Sequence, residues 1–383
     1  MAERIGVGVV GLGFVGPLHV EAVRRLGFAE VVAVAGSSEA RAKAQAAALD
    51  VAHGHGDWRE LVERPDVQVV HVCTPNDSHY PITKAALLAG KHVISEKPLA
   101  MDSRESAELL ALARERGLVN AVAFTYRGYA TAKQGRALVA QGEIGDVRLV
   151  HGGYVQDWLA YPTDYNWRVE PELSGASRAI ADIGSHWFDM AEYLTGQRVQ
   201  RVFANLRTFM PTRQRPAGGA LAFARGGTDA GVEVQVTTED AGMVLLELDN
   251  GAIASTVISQ VSMGRKNALT IEVDGSKASL FWNQEDAERL WVGRRDEPSY
   301  DVRRDPGQLL ESARWAARTP AGHPEGWPSA LRSVIEPAYR AIRDGSGPDA
   351  GEYPRFKDGH RAMLFVEAVV RSHAERNWVD LQG

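Results

Sequence analysis

A short apolar segment followed at once by a glycine-rich turn constrains the fold more than any other feature of this chain. Residues 5–10 predict a buried strand, and residues 11–16 read Gly-Leu-Gly-Phe-Val-Gly before a helix. Gly11 permits a tight turn, Gly13 lets the backbone approach a pyrophosphate, and Gly16 lets helix and strand pack closely. The free amides of the helix N-terminus favour the same anion. An ordinary glycine-rich turn is the alternative, but the order strand, turn and helix favours a dinucleotide site. The residues predicted to line it here are Gly11, Gly13, Phe14, Val15 and Gly16.

Strands and helices alternate regularly up to about residue 125. Periodicity and helix stop signals predict strands over 5–10, 30–35, 67–72, 91–95 and 118–124, and helices over 17–26, 39–49, 57–63, 80–89 and 103–116. This alternation predicts an N-terminal Rossmann domain, an α/β fold with a doubly wound parallel sheet.

From Val147 the pattern changes to longer strands separated by hairpin turns. Strands are predicted over 147–156, 199–209, 232–237, 242–248, 252–260, 269–273 and 278–282, and a last helix over 357–376. We expect a C-terminal α+β domain with an open, mostly antiparallel sheet, so that the domains are residues 1–125 and 126–383. Segments 211–231 and 298–328 are rich in glycine or proline and are expected to be long loops. Because one sheet face lacks helical cover, we also expect a homodimer or homotetramer.

Composition excludes several classes of partner. The 383 residues carry a net charge of −6, which gives no bulk attraction to nucleic acid or to an anionic membrane. The single cysteine, Cys73, cannot form an internal disulfide, and this suits a reducing compartment. There is neither a signal-peptide pattern nor an apolar run of membrane-spanning length. We therefore expect a cytoplasmic protein with a small, neutral partner.

Several further motifs carry a family resemblance. They are Thr74-Pro75-Asn76 with His79, Glu96-Lys97-Pro98, the segment 182–189 that reads Asp-Ile-Gly-Ser-His-Trp-Phe-Asp, and Asp358-Gly359. With the glycine turn, these make the chain resemble the Gfo/Idh/MocA family of sugar and cyclitol oxidoreductases over nearly its whole length. The resemblance implies a catalytic lysine, aspartate and histidine at Lys97, Asp182 and His186. The Lys-Pro bond of this family is often cis, and the resemblance extends this expectation to Lys97–Pro98. It adds these residues to the predicted cofactor site: Thr74, Pro75, Asn76, His79, Glu96 and Lys97.

The chemistry of alcohol oxidation leads to the same three side chains. Hydride leaves a carbon while a base removes the hydroxyl proton, so the site needs a base and a fixed cation near the oxygen. His186 and Lys97 are of these types, and Asp182 lies four residues before His186, on one face of a predicted helix. A solvated lysine and a histidine packed in the core are the alternatives for each residue alone.

The end of the second strand bears on cofactor choice. Gly36-Ser37-Ser38 stands where an NAD enzyme usually offers an acid to the ribose. Two hydroxyls and Arg41 can accept a 2′-phosphate, so the sequence favours NADP over NAD. The alternative for Ser38 is a plain helix N-cap.

Aromatic and polar residues crowd the segment from Tyr154 to Arg168, which is typical of a sugar cleft. Aromatic packing beneath the sheet is the alternative, especially for Trp167 and Tyr154. The residues predicted to contact substrate are Tyr126, Arg127, Asp157, Trp158, Trp167, Arg168, Asp182, His186 and His323. His53 and His55 lack a completing ligand set, so we assign them to a loop and predict no metal.

We therefore predict an NAD(P)-dependent dehydrogenase or reductase acting on a secondary hydroxyl or keto carbon of a sugar, cyclitol or glycoside. One alternative is a glycoside-cleaving enzyme that oxidises a ring carbon transiently, eliminates the aglycone and returns the hydride. Another is a nucleotide-sensing protein without turnover, which the combination of Lys97, Asp182 and His186 disfavours.

Overall fold

The computed structural model describes residues 4–216 and 231–381, and the chain divides into two compact units. The first unit contains residues 1–128 and Trp327–Met363, and the second contains Tyr129–Gly326 and Leu364–Gly383. A single boundary at residue 125 therefore misses the return of 327–363 to the first unit. Residues 327–363 return to the first unit because they include a helix with an apolar face. Leu331, Val334 and Ile335 on that face are part of the first unit's core.

The first unit is built around a six-stranded parallel sheet of order β3-β2-β1-β4-β5-β6, which confirms the predicted Rossmann architecture. Its elements up to residue 128 are β1 Ile5–Val10, α1 Gly16–Arg24, β2 Ala29–Ala35, α2 Glu39–Ala48, β3 His53–His55, α3 Trp58–Glu63, β4 Val69–Val72, α4 His79–Leu88, β5 His92–Ser95, α5 Ser103–Glu115 and β6 Asn120–Val122. The prediction of a loop at His53 and His55 was wrong, because the three residues of β3 pair with the end of β2.

The second unit contains a nine-stranded sheet of order β16-β15-β14-β13-β7-β12-β11-β8-β17. Its elements are α6 Ala130–Ala140, β7 Val147–Val155, α7 Pro171–Ser174, α8 Ser185–Thr195, β8 Val199–Arg207, β9 Thr212–Arg215, β10 Val232–Gln235, β11 Ala241–Leu248, β12 Ile253–Ser259, β13 Ala268–Gly275, β14 Ser279–Asn283, β15 Arg289–Gly293, β16 Tyr300–Arg303, α9 Glu311–Arg314 and β17 Val379–Asp380. Among the described strands of this sheet, only β7 and β12 pair in parallel, so the sheet is mostly antiparallel as predicted.

Two helices near the C-terminus complete the fold. The helix α10, Trp327–Arg343, belongs to the first unit, and α11, Phe356–Glu375, contributes residues to both units. Gly359 near the start of α11 is required by close packing, because a Cβ there would lie 2.8 Å from the side chain of Val122 and 2.9 Å from that of Leu99. This contact joins α11 to the segment that follows Lys97.

Both segments predicted to be long loops contain regular structure. The segment 211–231 contains β9, which pairs in antiparallel fashion with β10 just after the segment, while residues 217–230 lie outside the described part of the chain. The segment 298–328 contains β16, α9 and the first residues of α10. Edge strand β16 is stabilised by its pairing with β15 and not by a local pattern. Within residues 4–216 and 231–381, no helix has the length and apolarity needed to cross a membrane.

Candidate active site

The glycine turn after β1 has the geometry that a bound pyrophosphate needs. Gly11 has a φ of +92°, and a Cβ at Gly16 would lie 2.1 Å from the carbonyl oxygen of Gly11. Apart from Gly13 itself and its two chain neighbours, no heavy atom of the described residues lies within 4 Å of the Cβ position at Gly13. No side chain caps the amides of α1 at the N-cap residue Val15. The turn thus combines open space with free helix amides, and this arrangement fits a phosphate group. Phe14, between these glycines, is 60% exposed.

The end of β2 presents hydroxyls and a guanidinium to solvent. Ser37, Ser38 and Arg41 are exposed, and the Ser38 hydroxyl caps α2 by accepting from the Arg41 backbone amide at 3.4 Å. The nearest acid, Glu39, accepts from the Gly56 amide at 2.7 Å and pairs with Lys43 at 2.9 Å. Ser38 is therefore an N-cap, as its alternative interpretation held, and the Glu39 carboxylate is already engaged.

His79 links the two loops that follow β4 and β5. Its Nδ1 lies 2.6 Å from the carbonyl oxygen of Pro98, and its Nε2 lies 2.8 Å from that of Thr74. Burial lowers the pKa of His79 below its usual value, although both carbonyl contacts oppose the shift. The imidazole therefore fixes the Thr74-Pro75-Asn76 turn against the Lys97–Pro98 bond, which is cis.

Glu96 and Lys97 lie at the carboxyl end of β5, where ligands bind in open parallel sheets. Glu96 is buried and Lys97 is half-buried. The Glu96 Oε2 accepts from the Lys97 backbone amide at 3.2 Å, and Oε1 lies 3.0 Å from Nε2 of His19. Glu96 is thus turned into the core of the first unit, and His19 is a partner that sequence reasoning left unassigned.

Tyr126 and Arg127 lie in a short helical turn of the first unit. Tyr126 is 4% exposed, and Arg127 donates to Asp358 at 3.1 Å. Burial would raise the pKa of Asp358, but the Arg127 charge holds it below its usual value. This ion pair gives Arg127 a clear role within the first unit, whereas contact with substrate stays a prediction.

Asp182 is held from two sides in the second unit. Arg168 donates from Nε to Oδ1 at 3.2 Å, and Gln260 donates from Nε2 to Oδ2 at 2.8 Å. The Arg168 guanidinium also stacks over the ring of Trp167, 4.5 Å from its centroid. The structure therefore brings three predicted substrate residues together around one carboxylate.

The turn between Asp182 and His186 is wider than an α-helix. Residues Ile180–Gly184 form a π-helical turn that leads directly into α8. In such a turn the hydrogen bonds run from residue i to residue i+5, so the helical turn between Asp182 and His186 is wider than the predicted α-helical one. Single π-helical turns are frequent at functional sites.

A polar network lies beside His186. The imidazole is buried, and its ring centroid lies 6.3 Å from that of Tyr154. Tyr154 donates to the Asn267 Oδ1 at 2.5 Å, and Gln156 donates to the same oxygen at 2.8 Å. Trp158 in turn donates to Gln156 at 2.8 Å. Sequence reasoning missed Asn267 and Gln260; the available signal was a polar residue next to the end of an apolar strand.

Two other predicted substrate residues have different surroundings. The Asp157 carboxylate accepts from Lys266 at 2.6 Å and from the Gly264 amide at 3.0 Å. Burial would raise the pKa of Asp157, but these donors hold it below its usual value. His323 is exposed, and its Nδ1 lies 3.2 Å from the carbonyl oxygen of Ala321. Neither residue makes a described contact with Asp182 or His186.

The sheet of the second unit also groups three potential ligands that the sequence did not reveal. The side chains of His151, Glu272 and Asp274 come within 4.8 Å of one another on β7 and β13. His151 and Glu272 face each other across these strands. All three side chains are partly exposed, and surface groups of this kind occur commonly without an ion.

Comparison with known proteins identifies both parts of the chain. Residues 5–124 match the model of an oxidoreductase family with an NAD-binding Rossmann fold, and residues 132–281 match the GFO/IDH/MocA C-terminal domain. The levoglucosan dehydrogenase of Pseudarthrobacter phenanthrenivorans is 33% identical over 404 aligned positions, which cover 99% of this chain and 98% of that protein.

Solved structures agree with the sequence matches. A levoglucosan dehydrogenase in complex with NADH and L-sorbose has a TM-score of 0.90 at 29% identity, with 99% of each chain covered. An inositol dehydrogenase homologue from Azotobacter vinelandii, complexed with NAD⁺, has a TM-score of 0.87 at 29% identity, covering 99% of this chain and 98% of that one.

Proposed function

The chain belongs to the GFO/IDH/MocA oxidoreductase family, and on this basis we propose that it oxidises a secondary hydroxyl of a neutral sugar or cyclitol, with levoglucosan as the leading candidate substrate. It is a dehydrogenase of the nicotinamide-dependent kind that acts on CH–OH groups. The observation that carries the proposal is the carboxylate of Asp182, held between Arg168 and Gln260 one turn before His186. Similarity to levoglucosan dehydrogenases over 99% of the chain supports the choice of substrate.

The first unit supplies the dinucleotide site and a cation. Gly11, Gly13 and the amides of α1 would hold the pyrophosphate, and the nicotinamide, when bound, would accept hydride from the alcohol carbon. We assign Lys97 the task of stabilising negative charge that develops on the substrate oxygen. Its place at the carboxyl end of β5 supports this role.

The second unit supplies the proton acceptor and a fixed acceptor of hydrogen bonds. We assign His186 the task of removing the hydroxyl proton, because imidazole changes its charge near neutral pH. Asp182, oriented by Arg168 and Gln260, would accept a hydrogen bond from a neighbouring sugar hydroxyl. The network of Tyr154, Gln156 and Trp158 supports the orientation of the groups around His186.

We further propose that the dinucleotide site of the first unit prefers NADP to NAD. No acid occupies residues 36–38, and the carboxylate of Glu39 is engaged by Gly56 and Lys43. The exposed Ser37 hydroxyl and Arg41 guanidinium can therefore meet a 2′-phosphate. The similar structures named above contain NADH or NAD⁺, so a direct comparison of both cofactors is needed.

The experiment is a substrate panel with each cofactor. Levoglucosan, myo-inositol, common pyranoses and glycosides are incubated with NAD or NADP, and nicotinamide absorbance is followed together with product release. We expect stoichiometric reduction of cofactor by levoglucosan or another neutral polyol. Release of an aglycone without net reduction would instead indicate the glycoside-cleaving reaction.

A further inference from the structure

A chain of four polar side chains crosses the core of the first unit behind Lys97. The Tyr339 hydroxyl lies 2.7 Å from Nε2 of His71, and Nδ1 of His71 lies 2.7 Å from Nδ1 of His19. The Nε2 of His19 lies 3.0 Å from Oε1 of Glu96. Tyr339 and both histidines are completely buried, and Glu96 is 7% exposed. Four separate elements thus contribute to one hydrogen-bonded chain that ends at the residue before Lys97.

Hydrogen-bond chemistry gives this chain a direction. A carboxylate only accepts, so His19 donates from Nε2 to Glu96, and the Nδ1 of a neutral His19 then accepts. His71 must therefore donate from its Nδ1, and its Nε2 accepts from the Tyr339 hydroxyl. Burial holds the pKa of His71 well below its usual value, which favours its neutral form. With His19 neutral, one set of tautomers gives all four side chains a hydrogen-bond partner.

The chain acts on the Glu96 carboxylate. Burial would raise the pKa of Glu96, but the hydrogen bond from His19 and the charge of Lys97 hold it below its usual value. The second oxygen of Glu96 accepts from the Lys97 backbone amide. The other titratable groups close to this chain are Cys73, whose pKa is raised by burial and by Glu96, and His79. Glu96 is therefore a fixed anion beside Lys97.

Packing alone does not account for such an arrangement. Apolar side chains of similar volume would fill the space of His19 and His71 without the cost of desolvating polar groups. Their neighbours in the same core cluster include Val9, Val69 and Ile94. Buried polar chains are stable only when every member has a partner, and here each ring nitrogen has one.

We propose that His19 and His71 are positioning residues for Lys97, acting through Glu96: they hold its carboxylate in place next to the lysine backbone. This proposal rests on the proposed catalytic role of Lys97. The fixed carboxylate accepts from the Lys97 backbone amide and so limits the orientation of that backbone.

The test compares three variants in the full-length protein. His19→Leu removes the donor to Glu96, whereas His19→Gln retains an Nε2–H donor. His92→Gln is the matched control, because His92 lies at the opposite end of β5 and accepts from the Val119 amide. We expect His19→Leu to lower kcat by about tenfold or more and to move the alkaline limb of the pH–rate profile, with little change in substrate KM. His19→Gln should recover most of the loss, and His92→Gln should match wild type.

Two measurements do not depend on turnover. Nitrogen-15 NMR of the labelled, cofactor-free protein should find His71 neutral with its proton on Nδ1, and His19 with a proton on Nε2. Acetylation of Lys97 at fixed pH, followed by mass spectrometry, should change in rate in His19→Leu, because His19 no longer holds the carboxylate next to the Lys97 backbone.

These readouts separate failure of the inference from failure of the proposed function. Other tautomers, or an acetylation rate and pH profile unchanged in folded His19→Leu, would overturn the inference. If His19→Leu does not fold, the NMR result and His19→Gln still decide the question. Full turnover in Lys97→Met would remove the catalytic role of Lys97 while leaving the NMR and acetylation results to stand.

Discussion

The Nε of Arg168 lies 3.2 Å from Oδ1 of Asp182, although the two residues are fourteen positions apart in the sequence. The same guanidinium covers the face of Trp167. Gln260 binds the other carboxylate oxygen from the end of a distant strand. Arg168 and Gln260 therefore fix the direction of the carboxylate that we assign to substrate binding.

Loss of this contact should affect substrate affinity more than the fold. In Arg168→Ala we expect substrate KM to rise about tenfold, the effect of losing one charge-assisted contact of about 1.4 kcal/mol. Steady-state kinetics measure the change, and Arg201→Ala is the control, because Arg201 forms a more exposed ion pair with Glu247 in the same unit. Equal KM values in the two variants would show that Arg168 does not orient a substrate ligand.

Cofactor choice should depend on Arg41. We expect NADP to bind more tightly than NAD, and Arg41→Ala to narrow the difference, because its guanidinium is the cation available to a 2′-phosphate in this reading. Calorimetric titration of both cofactors measures this, with Arg59→Ala as an exposed control on α3. An NAD preference that Arg41→Ala leaves unchanged contradicts the NADP proposal.

The second unit's sheet should mediate self-association. Met243, Leu245, Ile253 and Val257 expose 66%, 49%, 57% and 42% of their surface on the adjacent strands β11 and β12. A contiguous apolar surface of this kind is typical of an interface. Light scattering should find a dimer or tetramer, and Leu245→Glu with Val257→Glu should give the 41.7 kDa monomer. Leu88→Glu, at an exposed position in the first unit, is the control and should leave the oligomer intact. A wild-type monomer at micromolar concentration would refute the proposal.

Acid should destabilise the first unit through His71. Its pKa in the fold lies well below the usual 6.5, because burial disfavours the charged ring. Below pH 6.5 the unfolded chain therefore binds a proton that the folded chain does not, so this stabilisation is complete above pH 6.5 and is lost as the pH falls. His71→Gln should reduce the slope of unfolding free energy between pH 6.5 and 5 by up to about 1.4 kcal/mol per pH unit. Denaturant unfolding measures the slope, and His53→Gln, at an exposed position, should leave it unchanged.

Local signals predicted much of the first unit. The glycine turn, the strand before it and the helices predicted over 57–63 and 103–116 are encoded within a few residues, and the structure has all of them. Short edge strands such as β3 and β16 were missed because pairing with a neighbouring strand stabilises them, and local pattern does not. The π-helical turn before α8 likewise has no clear local signature.

The contacts that shape the candidate site were beyond local reasoning for a different reason. Asp182 and Gln260 are separated by 78 residues, and His19 and His71 by 52. Residue types and motifs identified Lys97, Asp182 and His186 as candidates, but only the fold reveals which partners orient their neighbours. Arg127 is a further example, since its partner Asp358 lies 231 residues away.

The most direct test of the account is turnover with levoglucosan and a nicotinamide cofactor, measured by absorbance for the wild type, Lys97→Met and His186→Ala. We predict net reduction of cofactor by the wild type and a fall in kcat of about 10²–10⁴-fold in each variant, with cofactor affinity nearly unchanged and the fold verified by circular dichroism. Near-normal turnover in correctly folded His186→Ala would remove His186 from the mechanism. Absence of net cofactor reduction with levoglucosan and every other sugar or cyclitol of the panel would contradict the central claim.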